Sequence, residues 1–298
     1  MSVLKVLFTT LARLPMRVLY GLSSGGYQLL YHLVRYRRKL VRKNLRQAYP
    51  DKTDSERKVI EKQFYRFFCD YVVETIKLLH ISDEEMRQRC RFVNMELVEQ
   101  LRQDGKPLFV YLGHYGNWEY VTSITLWCQP GLDACQVYHP LSGKAMDQLM
   151  LDLRSRFHSF GIPRDDTFRT LLRMKGEGRQ ALLGLIADQR PPRKHHDVWM
   201  DFLRQPTALL TGTERIGQRL DAHFVYGDME VTSRGHYTIT MKEIIPTTDE
   251  DFAYTKAYMR LLEQTIDRAP QYYLWSHNRW KYRPEDSQDS SQTHQLNV

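Results

Sequence analysis

Apolar positions along this chain come in two spacings. Short, dense runs rich in β-branched and aromatic residues predict strands at Leu108–Leu112, Ala134–Tyr138, Ala181–Ala187, His223–Val231 and Tyr237–Ile244. Ser233-Arg234-Gly235 between the last two predicts a hairpin turn. Between these runs the apolar residues recur at helical spacing, predicting helices at Gly143–His158, Thr167–Lys175, Leu209–Leu220 and Phe252–Asp267. Strands alternating with helices from about Lys106 onward predict an α/β domain whose mixed sheet is flanked by helices. Upstream, Lys52–Leu79 reads as a charged amphipathic helix with Phe64, Phe67, Phe68 and Tyr71 on a recurring face, a packing surface whose aromatics could also meet lipid. Ser82 opens another helix, with Glu85 at the capping-box position. No internal repeat is present.

The beginning of the chain has a different pattern. Val18–Val34 contains no Asp, Glu, Lys or Arg and is about the shortest length that spans a bilayer as a helix. Its glycines, serines and His32 weaken that reading and leave a buried core helix or an interfacial helix as alternatives. No small-residue cleavage site follows, and the positive flank is on the wrong side for a signal peptide. Arg35, Arg37, Arg38, Lys39, Arg42, Lys43 and Arg46 come directly after the run. If the run spans, this flank places the following chain on the cytoplasmic side. If it lies on the surface, each cation adds about 1 kcal/mol near anionic headgroups. The expected organisation is a membrane anchor and basic segment over 1–50, a catalytic domain over 51–284, and a polar tail over 285–298 that composition predicts to be disordered.

With 298 residues and 42% hydrophobic content the chain can bury a full core. Its net charge of +8 favours anionic partners: nucleic acid, anionic lipid or an acidic carrier. Cys69, Cys90, Cys128 and Cys135 show neither C-x-x-C spacing nor the density of a disulfide framework, which favours a reducing compartment.

The segment with the most chemistry is Gly113-His114-Tyr115-Gly116-Asn117-Trp118-Glu119. It follows the strand at Leu108–Leu112 and precedes Tyr120–Trp127, which reads as a helix with Asn117 near its N-cap. A histidine ending a buried strand, with a glutamate in the first turn of the next helix, can form a pair in which the carboxylate orients the ring and the free nitrogen takes a proton from a hydroxyl. The plainer alternative is a hydrogen-bonded histidine that closes a strand. Other signals are weaker. Gly21-Leu22-Ser23-Ser24-Gly25 matches a nucleophile elbow in letters but has no preceding strand. Gly143-Lys144 lacks the upstream glycine and following hydroxyl of a phosphate loop. His195-His196-Asp197 sits in a charged stretch that favours solvated side chains over a metal site. The basic, aromatic C-terminal segment has no RNA-binding pattern beside it.

The ordered set His114 to Glu119, Ala187-Asp188-Gln189, Asp201-Phe202-Leu203, Pro206-Thr207-Ala208 with Gly212, and Gln271 to Lys281 resembles the late acyltransferases of lipid A biosynthesis, the lauroyl/myristoyl transferase family of H-x-x-x-x-E type. The resemblance extends to the arginine run, Asn44-Leu45 and Tyr49-Pro50, and so covers about residues 15–284. It implies a glycerolipid-acyltransferase-like fold and transfer of a fatty acyl group from acyl carrier protein to a hydroxyl of a lipid A precursor, at the cytoplasmic face of a bacterial inner membrane. No metal or cofactor is implied, and no nucleic acid. His114 would be the base and Glu119 its orienting carboxylate. Backbone N–H groups near Gly116-Asn117, or an arginine, would hold the oxyanion. The family's arginine falls on Arg154 or Arg156, and His158 stands where many relatives carry glycine. Asp188 and Gln189 would support His114 or bind substrate, or be structural; Arg279 and Lys281 would meet phosphate or sugar carboxylate, or simply lie on the surface. Another glycolipid, an aminolipid or a lysophospholipid would suit the same chemistry. An esterase or a non-catalytic membrane adaptor are the rival classes.

Overall fold

The computed structural model describes residues 3–192 and 197–285. Nine strands run in chain order: β1 (Cys90–Val93), β2 (Leu108–Leu112), β3 (Leu132–Tyr138), β4 (Phe160–Pro163), β5 (Gln180–Ile186), β6 (Trp199–Phe202), β7 (Gln205–Ala208), β8 (His223–Ser233) and β9 (His236–Glu243). Seven form one sheet in the order β1-β9-β8-β2-β5-β3-β4, and β6 and β7 form a separate antiparallel pair. Within the large sheet only the β8–β9 hairpin is antiparallel. The sheet is therefore mixed, as expected.

Every residue of β2 is buried, because it lies between β5 and β8 with both faces covered. That is the burial a parallel central strand requires, and it explains the unbroken apolar run Leu-Phe-Val-Tyr-Leu. All five predicted strands are present, and Gly235 turns the hairpin at φ +73°. The four strands that patterning did not predict are each four residues long; two are sheet edges and two form the small separate pair. Runs that short carry too few positions to show a period.

The α-helices are α1 (Val3–Ala12), α2 (Met16–Tyr27), α3 (Arg38–Ala48), α4 (Asp54–Lys77), α5 (Asp83–Arg89), α6 (Met95–Leu101), α7 (Lys144–Arg154), α8 (Thr167–Gly176), α9 (Gly212–Leu220) and α10 (Ala253–Arg268). Thr53 and Glu56 close a capping box at the start of α4. The aromatic face of α4 packs as predicted: Phe68 stacks on Tyr36, Phe67 meets Tyr272 edge-on, and Tyr71 lies 4.2 Å from Trp118 between ring centres. One helix thus touches the N-terminal segment, the H-x-x-x-x-E segment and the C-terminal segment. A single apolar core runs from Tyr27 to Trp280.

The expectation of a spanning N-terminal helix is corrected. No helix among the described residues is long and apolar enough to cross a membrane. The run Val18–Val34 is divided between the end of α2 and a π-helical turn, Gln28–Val34, which Arg35 stops in the left-handed region at φ +55°. Leu19, Ser23, Tyr27 and Tyr31 are buried, and the polar members tie the segment to α4: Ser23 donates to Asp70 (2.5 Å) and Tyr20 to Glu74 (2.9 Å). Those ties fix one face inward, whereas a spanning helix is apolar all round. The opposite face leaves Val18, Leu22, Leu29, Leu33 and Val34 exposed.

Candidate active site

The H-x-x-x-x-E segment begins where β2 ends. Gly113 sits against Leu262, and a Cβ there would come within 2.3 Å of its Cδ1. Gly116 adopts φ +58°, and a Cβ on it would meet Met229 Sδ at 2.3 Å. The C-terminal segment clasps this loop from the other side. Leu274 N–H donates to the His114 carbonyl, and Gly116 N–H donates to the Tyr272 carbonyl, both at 3.0 Å.

The His114 ring is held at both nitrogens. Its Nδ1 lies 2.5 Å from Asp188 Oδ1, and the Gln189 amide nitrogen lies 3.1 Å from its Nε2. An amide N–H can only donate, so Nε2 accepts and Nδ1–H donates to the aspartate. Trp118 packs edge-on against the ring at 5.0 Å. Asp188, buried just beyond β5, gives its second oxygen to Arg279 Nη2 at 3.1 Å. Arg279 is itself buried, over the ring of Tyr273 at 4.9 Å. Burial alone would raise the Asp188 carboxyl, but the positive charge available on His114 and Arg279 outweighs it and holds the group well below the usual carboxylate range. The result is a chain Arg279–Asp188–His114, with a buried anion available to stabilise an imidazolium.

The expected His114–Glu119 contact is not formed. Both oxygens of Glu119 accept from Arg154, Oε2 from Nε at 2.8 Å and Oε1 from Nη2 at 2.7 Å. The spacing argument assumed an α-helical first turn after Asn117. The structure has a 3₁₀ helix at Trp118–Leu126 instead, and Glu119 meets the end of α7. Asn117 does hold the N-cap position of that helix, as expected, but its side chain makes no capping bond. It is fully buried and donates through Nδ2 to Glu74 Oε2 at 3.0 Å. Of the two candidate arginines, Arg154 enters the site; Arg156 is engaged by the Ile81 carbonyl (2.8 Å) and Asp83 (3.1 Å). His158 adopts φ +64°, in the left-handed region that glycine favours.

Spacing within the motif did not reveal Glu74. It is buried on α4 and accepts from Asn117, from Tyr20 (2.9 Å) and from Tyr237 (2.6 Å). Burial holds its carboxyl above the usual range despite these donors. A sequence signal existed: Glu74 continues the stripe Phe67, Tyr71 at helical spacing, where a carboxylate has no place unless partnered. Ser23 of the Gly-x-Ser-x-Gly match donates to Asp70 and has no histidine partner. His195 and His196 lie outside the described residues.

Beneath the loop, Val110, Leu112, Ala134, Val137, Leu182 and Ile186 line an apolar cavity enclosing roughly 630 Å³ of empty space, its mouth included. Trp118, Glu119 and Arg154 also face it.

A mixed α/β sheet with a carboxylate-held histidine at the end of its central strand, beside an apolar cavity, is the frame into which the comparisons fit. Residues 2–282 match the family of bacterial lipid A biosynthesis acyltransferases, and the chain belongs to that family. It is 23% identical to a lipid A biosynthesis lauroyltransferase of Escherichia coli, over 92% of this chain and 88% of the relative. It is 24% identical to a lipid A biosynthesis palmitoleoyltransferase of the same organism, over 91% and 88%. A lipid A biosynthesis acyltransferase of Haemophilus influenzae is 19% identical over 89% and 82%. The protein is an acyltransferase, and its reaction is acyl transfer in lipid A biosynthesis.

Proposed function

We propose that this enzyme moves a fatty acyl chain from acyl carrier protein to a hydroxyl of a lipid A precursor, with His114 as general base and Asp188 as the carboxylate that orients it. The observation that carries this reading is the Nδ1–Asp188 bond, because it fixes the tautomer that leaves the Nε2 lone pair for a proton. Gln189 marks the place of the acceptor hydroxyl, which displaces its amide from Nε2.

In the reaction Nε2 takes the hydroxyl proton as the oxygen attacks the thioester carbonyl. The C–O bond forms, the tetrahedral intermediate collapses, and the C–S bond breaks. The imidazolium returns its proton to the departing thiolate. Asp188 stays ionised throughout, since Arg279 shares its charge. The apolar cavity under the loop, which Trp118 lines, is the place proposed for the acyl chain. Glu119 and Arg154 cancel each other's charge at its wall and hold the 3₁₀ segment on α7.

The donor assignment rests on charge: a net +8 surface suits an acidic carrier. Membrane attachment rests on the exposed apolar face of α2 and its π-turn, with Leu33 76% and Val34 60% exposed, next to the arginine run. This amphipathic arrangement favours lying in the interface at the cytoplasmic side of the inner membrane.

Purified enzyme supplied with acyl carrier protein thioester and lipid A precursor in mixed micelles tests the reading. Acylated product should appear with wild type and not with His114→Ala. Transfer from acyl-coenzyme A in preference to the carrier thioester would overturn the donor assignment. Free fatty acid as the main product would make the enzyme an esterase.

A further inference from the structure

Cation-bearing depressions on this molecule usually contain their own counter-charges. The depression walled by Arg42, Arg46, Arg57 and Lys58 includes Asp54 and Glu61. That walled by Arg66 and Arg234 includes Asp70 and Glu74. That walled by Arg164 and Arg215 includes Asp165 and Asp197. One depression differs. Arg37, Leu40, Arg190, His277, Asn278 and Lys281 enclose about 740 Å³, open to solvent, without a carboxylate on its wall among the described residues. Among the described residues, none of Arg37, Arg190 and Lys281 is within ion-pair distance of an Asp or Glu. Like charges gathered from separate parts of the chain repel unless an anion joins them.

The cluster is also fixed in place. Arg37 sits at φ +50°, in the left-handed region that L-residues rarely adopt, and its Nη1 is anchored on the Ser276 carbonyl at 3.0 Å. Asn44 of α3 donates to the carbonyls of Trp275 and His277, each at 2.9 Å. Arg190 donates its backbone N–H to His277 Nε2 (3.4 Å) and its Nη1 to the Asn278 carbonyl (3.2 Å). Burial, reinforced by Arg279, pushes His277 down to about 3, so its ring is neutral. With Nε2 accepting, Nδ1–H remains as a donor.

Its position relative to the base gives the depression a meaning. Arg190 directly follows Gln189, whose amide rests on His114 Nε2, and Lys281 comes two residues after Arg279, which holds Asp188. On its other side, Arg37 follows the exposed apolar residues Leu33 and Val34. We propose that this depression binds a phosphomonoester on the headgroup of the membrane-borne acceptor, and so sets the acceptor hydroxyl at His114 while the acceptor's tails remain in the bilayer. The inference rests on the function proposed above and names the acceptor subsite.

The test compares wild type with the triple variant Arg37→Gln/Arg190→Gln/Lys281→Gln on two acceptors, the phosphorylated glycolipid and its enzymatically dephosphorylated form. The subsite requires the variant's KM for the phosphorylated acceptor to rise about tenfold or more, with kcat within about twofold, and its KM for the dephosphorylated acceptor to match that of wild type. Equal rises on both acceptors would assign the cations to general membrane attraction and overturn the proposal, as would no rise at all. Binding of the phosphorylated glycolipid in neutral-detergent micelles, read by calorimetry, needs no turnover. If wild type transfers nothing yet binds this glycolipid about tenfold tighter than the variant, the subsite stands and the proposed reaction fails. Vesicles of phosphatidylglycerol separate the sources of phosphate: the subsite predicts equal vesicle binding by both proteins, and weaker binding confined to the variant would assign the cluster to bulk lipid.

Discussion

Two buried carboxylates flank the same loop in opposite circumstances. Asp188 is held by a cation on one side and an imidazole on the other, and the chain of contacts ends at a ring whose Nε2 meets only a replaceable amide. Glu119 is held by one guanidinium through both oxygens and hands nothing on. The first arrangement is open at one end and can pass a proton; the second is closed and holds two segments together. Two charged residues in one short motif therefore need not be each other's partners, since each can recruit its complement from a distant part of the chain.

That contrast can be broken experimentally. The largest effect belongs to the open arrangement: His114→Ala should lower kcat by on the order of 10³-fold without changing the thermal midpoint by more than a few degrees, measured by product formation and calorimetry. Asp188→Asn should cost at least about 10²-fold in kcat, because the amide no longer enforces the Nδ1–H tautomer. A rate near that of wild type for this variant would remove Asp188 from the mechanism.

The closed arrangement should appear in stability. Glu119→Leu leaves the partly buried Arg154 guanidinium unpaired and should cost about 2 kcal/mol in denaturant unfolding, most of which the double variant Glu119→Leu/Arg154→Met should restore. A double variant as unstable as the single one would mean the pair is not self-contained.

A smaller effect separates Asp188 from Glu74 by sign. The folded Asp188 carboxyl is depressed, so its contribution is present above the unfolded value of about 4 and is lost as pH falls through the folded one. The stability gap between wild type and Asp188→Asn should therefore narrow on acidification below about pH 4. Glu74 is raised in the folded state, so its contribution is present at acid pH and lost as pH rises through the folded value. Glu74→Gln should accordingly gain on wild type as pH rises above about 4.3. Parallel curves for the two variants would show that the two carboxyls do not differ in this way.

Much of this fold was legible because β2 and β5 are central in the sheet and write their position as dense apolar runs. His114 was legible for the same reason, since a histidine directly after such a run stands at the strand's carboxyl end. Asp188 was named as one possible support of His114, beside substrate binding and a structural role; the choice stayed open because Asp188 follows a different strand and reaches His114 only through the pairing of β2 with β5, at a separation of 74 residues. Resemblance brought Arg154 and Arg279 onto the page without their carboxylate partners, which the structure shows to be Glu119 and Asp188. The N-terminal run misled because hydropathy counts apolar letters, whereas Tyr20 and Ser23 spend their hydroxyls on Glu74 and Asp70 and turn half the helix inward.

The clasp of Tyr272 to Leu274 on the His114 loop carries a consequence for truncation. The loop's backbone bonds are completed by Tyr272 and Leu274, and the cation behind Asp188 is Arg279. A chain cut just before this segment would keep β2 and its sheet partners but strip the His114 loop and the Asp188 carboxylate of their supports together.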